Sequence, residues 1–464
     1  MTATARHLEP AVRQSGRNVL TDLAVRGIDV LRNDDPELYR LLEAEYRRQE
    51  ESLVMVASSS VVDSSVLACQ GSTFVNVTAE GYPGHRYHAG CANVDGVERL
   101  AIDRARSLFG ATYANVQPHS ASVANELVLT ALLEPGDTLL GMDLHQGGHL
   151  THGSRASISG RIFNAYGYGL DAAGVIDFAQ VRKMAVNLRP KLIICGATAY
   201  SRTVDFARFR AIADEVGALL LADISHIAGL VAAGLHPSPI NHAHITTTCT
   251  HKQLFGPRGG LILMGRDADR TAPNGRETLA ATLQRAVFPF FQGAPLVNAI
   301  AAKGRALAWC ASDEFAELAT RIVGNARALA AAFTKRGYTV VSGGTDNHIV
   351  LLDLTDSDLT GFIAERALES TDIIVNKNHI PGDKRPATVT SGLRLGTNTL
   401  AHRGFQPQDM DRCAALVDRV VRAVRPIDDR LYRFDDELRH EIRAQVAHLT
   451  AERPTSQRLA TSAA

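Results

Sequence analysis

The sequence lacks long uninterrupted apolar runs and lacks an excess of charge of either sign. Its most apolar stretch, residues 217–235, is interrupted by Asp223 and His226, and residues 1–10 contain no apolar segment of the kind that directs export. The 49 basic and 49 acidic residues balance, and the basic residues are scattered along the chain. Neither membrane insertion nor nucleic-acid binding is indicated, and we expect a cytoplasmic protein without either partner.

Cysteine is scarce, and its placement argues against a disulfide framework. The 6 cysteines include no CxxC pair and lie among apolar or small residues. This arrangement is typical of reduced thiols in a cytoplasmic protein.

The rest of the composition indicates a globular protein with more than one core. A chain of 464 residues that is 45% hydrophobic can bury one large core and a smaller one. We predict a helical arm at 1–57, a large domain at 58–310, a small α+β domain at 311–450 and a disordered tail at 451–464. The arm includes an amphipathic helix at 36–51.

Short apolar runs alternate with amphipathic stretches in the large domain, which predicts an α/β fold with a mostly parallel sheet. Strands are expected at 138–142, 191–195, 218–222, 245–249 and 260–264, and in the small domain at 339–341 and 349–352; helices are expected at 94–109 and 207–216. Ligands of such sheets bind at the carboxyl ends of the strands, so Asp223, His226 and Lys252 should converge on one cleft.

Lys252 is a candidate for covalent attachment of a cofactor. It lies in TTTCTHKQLFGPRGG at 246–260, after a strand of hydroxyl and β-branched residues and before a turn that no helix could cross. Such a lysine alone is ordinarily a surface residue with a buried stem. Asp223 changes this interpretation, because a carboxylate at the end of the strand LLLAD could keep a pyridinium nitrogen protonated while Lys252 held the ring.

Two further segments offer groups for such a cofactor. In QPHSASVAN at 117–125, Ser120 and Ser122 precede an apolar helix, where they fit a helix cap, a phosphate site or both. In DLHQGGHLTHG at 143–153, the glycines between three histidines argue against the rigid helix that metal ligands would need. No metal is therefore expected, and His149 is interpreted as an imidazole stacked on a flat cofactor.

These motifs together resemble the serine hydroxymethyltransferase family from about residue 39 to about residue 422. AEGYPG at 79–84, ANVQPHS at 114–120, GGHLTHGS at 147–154, THK at 250–252 and GGTDNH at 343–348 occur in the family's order. The resemblance implies the aspartate-aminotransferase-like fold (fold type I), with pyridoxal 5'-phosphate (PLP) as cofactor and tetrahydrofolate or 5,10-methylenetetrahydrofolate as co-substrate. It also implies a homodimer or a dimer of dimers with shared active sites.

The resemblance implies roles for the residues at the positions of the family's site, including a few that differ from the family's own residue. Lys252 would bind PLP covalently, Asp223 would pair with its ring nitrogen, His149 would stack on the ring, and Glu80 would be the acid/base group. The other PLP contacts would be Ser120, Ala121, Ser122, Thr198, His226, His251 and Gly293, the last from a neighbouring subunit. The amino acid substrate would meet Ser58, Thr78, Glu80, Tyr87, His88 and Arg394. The folate would lie near Glu80, Tyr87, Leu144, Gly147, Gly148, Leu150, Asn378 and, from a neighbouring subunit, Phe288.

Several positions differ from the family pattern, and they cluster around the expected site. Thr78 and His88 stand where the family has tyrosines, Ser59 stands where it has glutamate, and PFFQGAP at 289–295 replaces PGGQGGP. A threonine in place of a tyrosine frees the volume of a ring and removes one phenol hydrogen bond. An additional substituent on the substrate could fit there.

On this basis we predict one-carbon transfer from 5,10-methylenetetrahydrofolate to D-alanine, giving α-methyl-L-serine. D-Alanine carries its proton on the face where glycine loses one, so its methyl group would point into the space beside Thr78. A methyl group is worth only about 1–3 kcal/mol of discrimination, so weak turnover of glycine is also expected.

Two other enzymatic functions and one non-catalytic function are alternatives to this prediction. Ordinary serine/glycine exchange is one alternative, and folate-independent cleavage of 3-hydroxy amino acids is another, favoured by Ser59 and the aromatic pair at 290–291. A non-catalytic relative is disfavoured because Lys252, Asp223, Glu80 and Arg394 are all present.

Overall fold

The computed structural model describes residues 18–455 of a chain that divides into two units, residues 1–48 and 49–464. The described part of the first unit contains helix α1 (Val19–Asp34) and most of helix α2 (Pro36–Glu51). Asn18 caps α1 by accepting a hydrogen bond from the Thr21 backbone N–H. Helix α2 has proline at its first position, where the missing N–H needs no partner. The helix predicted at 36–51 is present, and neither helix contains a buried residue.

The second unit contains a seven-stranded sheet. A short strand and a hairpin precede it: β1 (Leu53–Val54), β2 (Gly81–Tyr82) and β3 (His85–Arg86). The sheet consists of β4 (Tyr113–Asn115), β5 (Thr138–Met142), β6 (Asn164–Tyr168), β7 (Leu192–Cys195), β8 (Leu219–Asp223), β9 (Ile245–Cys249) and β10 (Gly260–Met264). Their order in space is β4-β10-β9-β8-β7-β5-β6. Strand β10 runs antiparallel to its two neighbours and the other pairings are parallel, so the sheet is mixed but mostly parallel.

Hydrophobic cores lie on both faces of this sheet. The helices of the region are α3 (Ser64–Gln70), α4 (Ala92–Phe109), α5 (Ala121–Leu132), α6 (Ser159–Ile162), α7 (Phe178–Leu188), α8 (Phe206–Val216), α9 (Ala228–Ala232), α10 (Leu279–Arg285) and α11 (Val297–Cys310). Within β8, Leu220 and Ala222 belong to one core and Leu219 and Leu221 to the other, because successive side chains point to opposite faces. Burial on both faces explains why the central strands β7 and β8 are largely apolar in the sequence.

A second, four-stranded antiparallel sheet follows, in the order β11-β12-β15-β14. Its strands are β11 (Thr339–Val340), β12 (Ile349–Asp353), β14 (Asn376–Asn378) and β15 (Gly392–Gly396), and the shorter strands of this region are β13 (Ile373–Ile374), β16 (Arg425–Pro426) and β17 (Tyr432–Arg433). The helices are α12 (Asp313–Lys335), α13 (Gly361–Glu369), α14 (Asn398–His402), α15 (Met410–Ala423) and α16 (Asp436–Ala451). Helix α12 contributes Phe315 to a core of the large sheet and Phe333 to the core of the small one. A domain boundary near residue 310 stays a prediction.

The predicted strands are present with end shifts of one residue at most, but two features differ from the expectations. The helical arm was expected to reach residue 57, whereas α2 ends at Glu51 and β1 pairs in parallel with β13. Strands β4 and β6 were not predicted. The tail expected at 451–464 lies mostly outside the described residues.

Two expectations from the sequence, no membrane-spanning segment and no disulfide framework, can be compared with the described residues. No helix within residues 18–455 is long and apolar enough to cross a membrane. The six cysteines, all within this range, are free thiols.

Candidate active site

Lys252 lines a cavity of about 190 Å³ at the carboxyl ends of β7, β8 and β9. The residues around this cavity are Ser120, Ala121, Ser122, His149, Ala197, Thr198, Asp223, Ser225, His226, Cys249, His251, Lys252 and Arg258. Every PLP contact that the resemblance implies is among them except Gly293. Their individual binding roles stay predictions.

The turn after β9 gives Lys252 a fixed backbone. The Thr250 hydroxyl donates a hydrogen bond to the Pro257 carbonyl at 2.6 Å, and the Thr250 N–H donates to the Gly259 carbonyl at 3.1 Å. These bonds tie the two ends of the loop together across Lys252. The lysine therefore projects from a loop whose ends are hydrogen-bonded to each other.

Burial lowers the pKa of the Lys252 ε-amine below its usual value. Cys249 and Asp223 oppose this shift, and the positive charges of Arg394 and Arg258 reinforce it. A lowered pKa leaves more of the amine neutral near pH 7, and the neutral amine is the form that attacks a carbonyl carbon.

Asp223 ends β8 and is held by four hydrogen bonds. Asn125 Nδ2 donates to Oδ2 at 2.8 Å and His152 Nε2 donates to the same oxygen at 3.0 Å. Oδ1 accepts from the Ser225 backbone N–H at 3.0 Å and from its hydroxyl at 2.6 Å. Burial alone would raise the pKa of this carboxyl, but the hydrogen bond and positive field from His152 hold the pKa well below its usual range. The site therefore contains a buried carboxylate that is ionised near neutral pH.

His149 and His152 are fixed by the short 3-10 turn Leu150–His152. The His149 ring nitrogen Nδ1 accepts from the Thr151 N–H at 3.2 Å, and the His152 ring accepts from the His149 N–H at 3.2 Å. The turn has a capping box that positions both rings, although it is too short to be the rigid helix that metal ligands would need. Burial lowers the pKa of His149 to about 4, so its ring is flat, neutral and fixed in the cavity wall.

A metal is the other group that this wall could hold. Ligand atoms of His149, His152 and Asp223 lie within 4.8 Å of one another. However, the Asp223 oxygens already accept four hydrogen bonds, and one of them comes from His152 itself. This bonding favours the interpretation of Asp223 as a partner for a protonated ring nitrogen, since a metal would displace His152.

His226 stacks on a second buried histidine. The rings of His226 and His348 are 5.7 Å apart and nearly parallel, at 16°. His348 Nε2 lies 3.1 Å from the Ala57 carbonyl, which also accepts from Asn398 Nδ2 at 3.1 Å. The stack links the cavity to the segment that contains Ser58.

The end of the cavity at Ser120, His251 and Arg258 has the properties of an anion-binding site. The Ser120 hydroxyl caps α5 by accepting from the Val123 N–H at 3.1 Å, which leaves the other N–H groups of the first turn pointing outward. Arg258 Nη1 lies 3.5 Å from His251 Nε2, and the Ser60 hydroxyl donates to the His251 carbonyl at 2.5 Å. A phosphate would meet a helix N-terminus and a guanidinium here.

Arg394 extends from β15 toward the cavity. Its Nε donates to Asn376 Oδ1 at 3.1 Å and its Nη1 donates to the Thr198 carbonyl at 2.6 Å. Burial lowers its pKa to about 10, and no acidic residue of the described chain offsets that shift. A buried guanidinium without a carboxylate partner is suited to a carboxylate ligand.

Ser58 follows strand β1, and the segment between them runs beside β15. The Gly396 N–H donates to the Met55 carbonyl at 2.7 Å. A side chain on Gly396 would collide with Ala57, since its Cβ would lie 2.3 Å from the Ala57 Cα. The segment of Ser58 therefore lies beside the strand that carries Arg394, and their joint binding of a carboxylate stays a prediction.

The expected folate residues 144–150 form a loop after β5. The Thr198 hydroxyl donates to the Gly148 carbonyl at 2.9 Å, which joins this loop to the cavity. His145 Nδ1 lies 3.2 Å from His379 Nε2, next to Asn378 at the end of β14. The segments of Leu144 and Asn378 are thus neighbours.

Glu80, Tyr87, Phe288 and Gly293 form a separate cluster in this chain. The Tyr87 N–H donates to the Glu80 carbonyl at 3.1 Å, and the Tyr87 and Phe288 rings are 5.6 Å apart. A Cβ on Gly293 would lie 3.5 Å from Glu80 Oε1. None of the four lines the cavity beside Lys252. Nor do Thr78 and His88, which are both exposed.

Sequence reasoning assigned no role to several residues of this site: Asn125, His152, Ser225, Arg258 and His348. A signal existed for Asn125, which follows Ser122 by three positions and so shares its helix face. The hydrogen bonds from His152 and Ser225 to Asp223 had no comparable signal.

The cavity fits PLP on the properties of its own side chains. Buried Nδ1 atoms of His226 and His251 have no hydrogen-bond partner within residues 18–455. With the Lys252 amine, the Asp223 carboxylate and the α5 N-terminus, they suit a flat aldehyde that has a basic ring nitrogen, a ring hydroxyl and a phosphate.

Comparison with known proteins agrees with this chemistry. A family model described as serine hydroxymethyltransferase matches residues 31–417. A serine hydroxymethyltransferase of Shewanella piezotolerans is 53% identical over 376 residues, which cover 81% of this chain and 88% of the relative. One of Shewanella sediminis is 52% identical over 375 residues, with the same coverage.

Proposed function

Because this chain belongs to the serine hydroxymethyltransferase family, we propose that it moves a hydroxymethyl group reversibly between serine and glycine. It is a PLP-dependent hydroxymethyltransferase with tetrahydrofolate as co-substrate. The observation that carries the serine/glycine proposal is the convergence of Lys252, Asp223 and Arg394 in a chain 53% identical to a relative of that name.

Each side chain has a task that follows from its surroundings. The Lys252 amine would hold the cofactor, and the Asp223 carboxylate would keep a positive charge on the cofactor's ring nitrogen. Bound PLP supplies an electron sink for the bond that breaks at the substrate's α-carbon. Arg394 binds the substrate carboxylate, which fixes the orientation of that bond, and Glu80 moves the proton for transfer of the one-carbon unit.

D-Alanine is the second candidate substrate. Thr78 is the sequence observation that favours it, since the family has the larger tyrosine there, although within one chain Thr78 is exposed and lies outside the cavity beside Lys252. The sequence alone favours D-alanine, but the names of the relatives support serine/glycine exchange better. Transfer to D-alanine is therefore retained as an alternative for the same catalytic groups.

Turnover of glycine and of D-alanine with 5,10-methylenetetrahydrofolate should be compared by kcat/KM. We expect a clear preference for glycine. The Thr78→Tyr variant is the matched control, because restoring the ring should reduce D-alanine turnover more than glycine turnover. A preference of the unaltered protein for D-alanine would overturn the proposal.

The same protein should be assayed with 3-hydroxy amino acids in the absence of folate. Loss of serine cleavage without tetrahydrofolate is expected for a transferase. Undiminished folate-independent cleavage would instead favour an aldolase.

A further inference from the structure

Lys303 is a fully buried lysine in α11 that the proposed chemistry does not use. Its side chain is 2% exposed, and its Nζ lies within hydrogen-bond distance of three backbone carbonyls. These belong to Val116 at 2.6 Å, Pro118 at 3.0 Å and Gly260 at 3.0 Å. An ammonium has three N–H donors and a neutral amine has two, so only the charged form satisfies all three acceptors.

The three carbonyls belong to the two segments that form the anion end of the cavity. Val116 and Pro118 immediately precede the α5 N-terminus, and Gly260 begins β10 after the Lys252 loop. The Gly260 N–H also donates to the Pro118 carbonyl at 2.9 Å. Lys303 therefore joins the turn that carries Ser120 to the end of the Lys252 loop.

The space for this side chain exists because position 259 is glycine. A Cβ on Gly259 would lie 2.1 Å from Lys303 Cε and 2.8 Å from Nζ. The Lys252 loop thus passes directly over the ammonium.

The charge of Lys303 has no anionic partner within the described chain. Glu98 is close enough to raise its pKa, but the Glu98 oxygens bond Arg86 Nη2 at 2.6 Å and Gln117 Nε2 at 2.8 Å. An unpaired buried cation is costly, so its position beside an anion site needs an explanation. The phosphate of PLP is the anion that this end of the cavity would receive.

We propose that Lys303 is a positioning residue for the cofactor phosphate: it fixes the turn before α5 and places a buried positive charge behind the phosphate. The proposal concerns cofactor binding, and it is independent of which amino acid the enzyme prefers.

The test compares binding of PLP and pyridoxal, which differ by the phosphate. Apoprotein of Lys303→Gln and Lys303→Met should be titrated with each aldehyde, with binding followed by visible absorbance. We expect the ratio of PLP affinity to pyridoxal affinity to fall about tenfold or more in both variants, because a buried charge acts strongly on a nearby dianion. Lys183→Gln, which alters an exposed lysine of α7, should leave the ratio unchanged.

The outcomes separate a phosphate role from a purely structural one. Equal weakening of PLP binding and pyridoxal binding would show that Lys303 only supports the fold. An unchanged PLP affinity would show that Lys303 neither positions the phosphate nor supports the fold of the site. Both results overturn the proposal, and neither bears on the glycine preference.

The unaltered apoprotein gives a second test if both variants fail to fold. Burial lowers the pKa of Lys303 to about 7, so raising the pH from 7 to 9 should lower the PLP to pyridoxal affinity ratio. The titratable groups that face Lys303 are Glu98 from α4 and His119 from the turn before α5. Burial lowers the pKa of His119, so this ring stays neutral above pH 7. A ratio that stays constant over this range would contradict the proposal.

Discussion

At the scale of single residues, Arg394 connects the amino acid site to the rest of the cavity. We predict that Arg394→Lys raises KM for the amino acid about 10- to 100-fold, because a lysine keeps the charge but loses the planar fork that binds a carboxylate through two bonds. KM for tetrahydrofolate should change little. Steady-state kinetics with each substrate varied in turn measures both constants.

Arg366→Lys, at an exposed position of α13, is the control for this substitution and should have no effect on either constant. An unchanged KM for the amino acid in Arg394→Lys would show that the substrate carboxylate binds elsewhere.

Residues of the site could be predicted where a local pattern marked them. Lys252 and Asp223 each follow an apolar strand, and the edge of a parallel sheet brings such positions together. The hydrogen bonds that fix Asp223 could not be predicted in the same way. Asn125 and His152 reach it across 98 and 71 positions of sequence, and such pairings depend on how separate segments pack.

At the scale of elements, prediction succeeded for strands buried on both faces and failed at the edges of the sheet. Strands β5, β7, β8 and β10 are largely apolar because helices cover both sides of them, and β9 consists mainly of β-branched residues. Strands β4 and β6 are the two edge strands, with sequences YAN and NAYGY. An edge strand has a hydrogen-bonded neighbour on one side only and needs no such run, so the sequence carries little signal for it.

The loop after β5 gives a prediction at this scale. A Cβ at Gly148 would lie 2.0 Å from the Met142 carbonyl oxygen, so Gly148→Ala should displace the loop that we expect to hold folate. We predict a higher KM for tetrahydrofolate and a loss of about 1–3 kcal/mol in the free energy of unfolding, as for other overpacked sites. Denaturant titration and folate kinetics measure the two effects.

Gly96 provides the matched control for this substitution. It lies inside α4 with open space around the position of a Cβ, so Gly96→Ala should stabilise the protein by about 0.5–1 kcal/mol. If Gly148→Ala leaves folate kinetics unchanged, the assignment of folate to this loop is incorrect.

At the scale of the whole molecule, the residues expected to act in one reaction form two separate groups within the chain. The cavity contains Lys252 and Asp223, whereas Glu80 and Tyr87 lie in the other cluster with Phe288. If each cavity is completed by the Glu80 cluster of a second copy, the catalytic unit is a dimer. The resemblance implied such sharing for Phe288 and Gly293, and we propose that it extends to Glu80.

Mixing two inactive variants tests whether sites are shared. In a mixed dimer of Lys252→Ala and Glu80→Gln, one shared site would have both substitutions and the other would have neither. Dissociating and reassociating equal amounts should therefore restore up to about a quarter of the normal activity, since half of the dimers are mixed and half of their sites are intact. If Glu80 instead serves the cavity of its own chain, every site has one substitution and no activity returns. The Lys252→Ala and Asp223→Asn pair is the control, because both residues line the same cavity and mixing them should restore nothing.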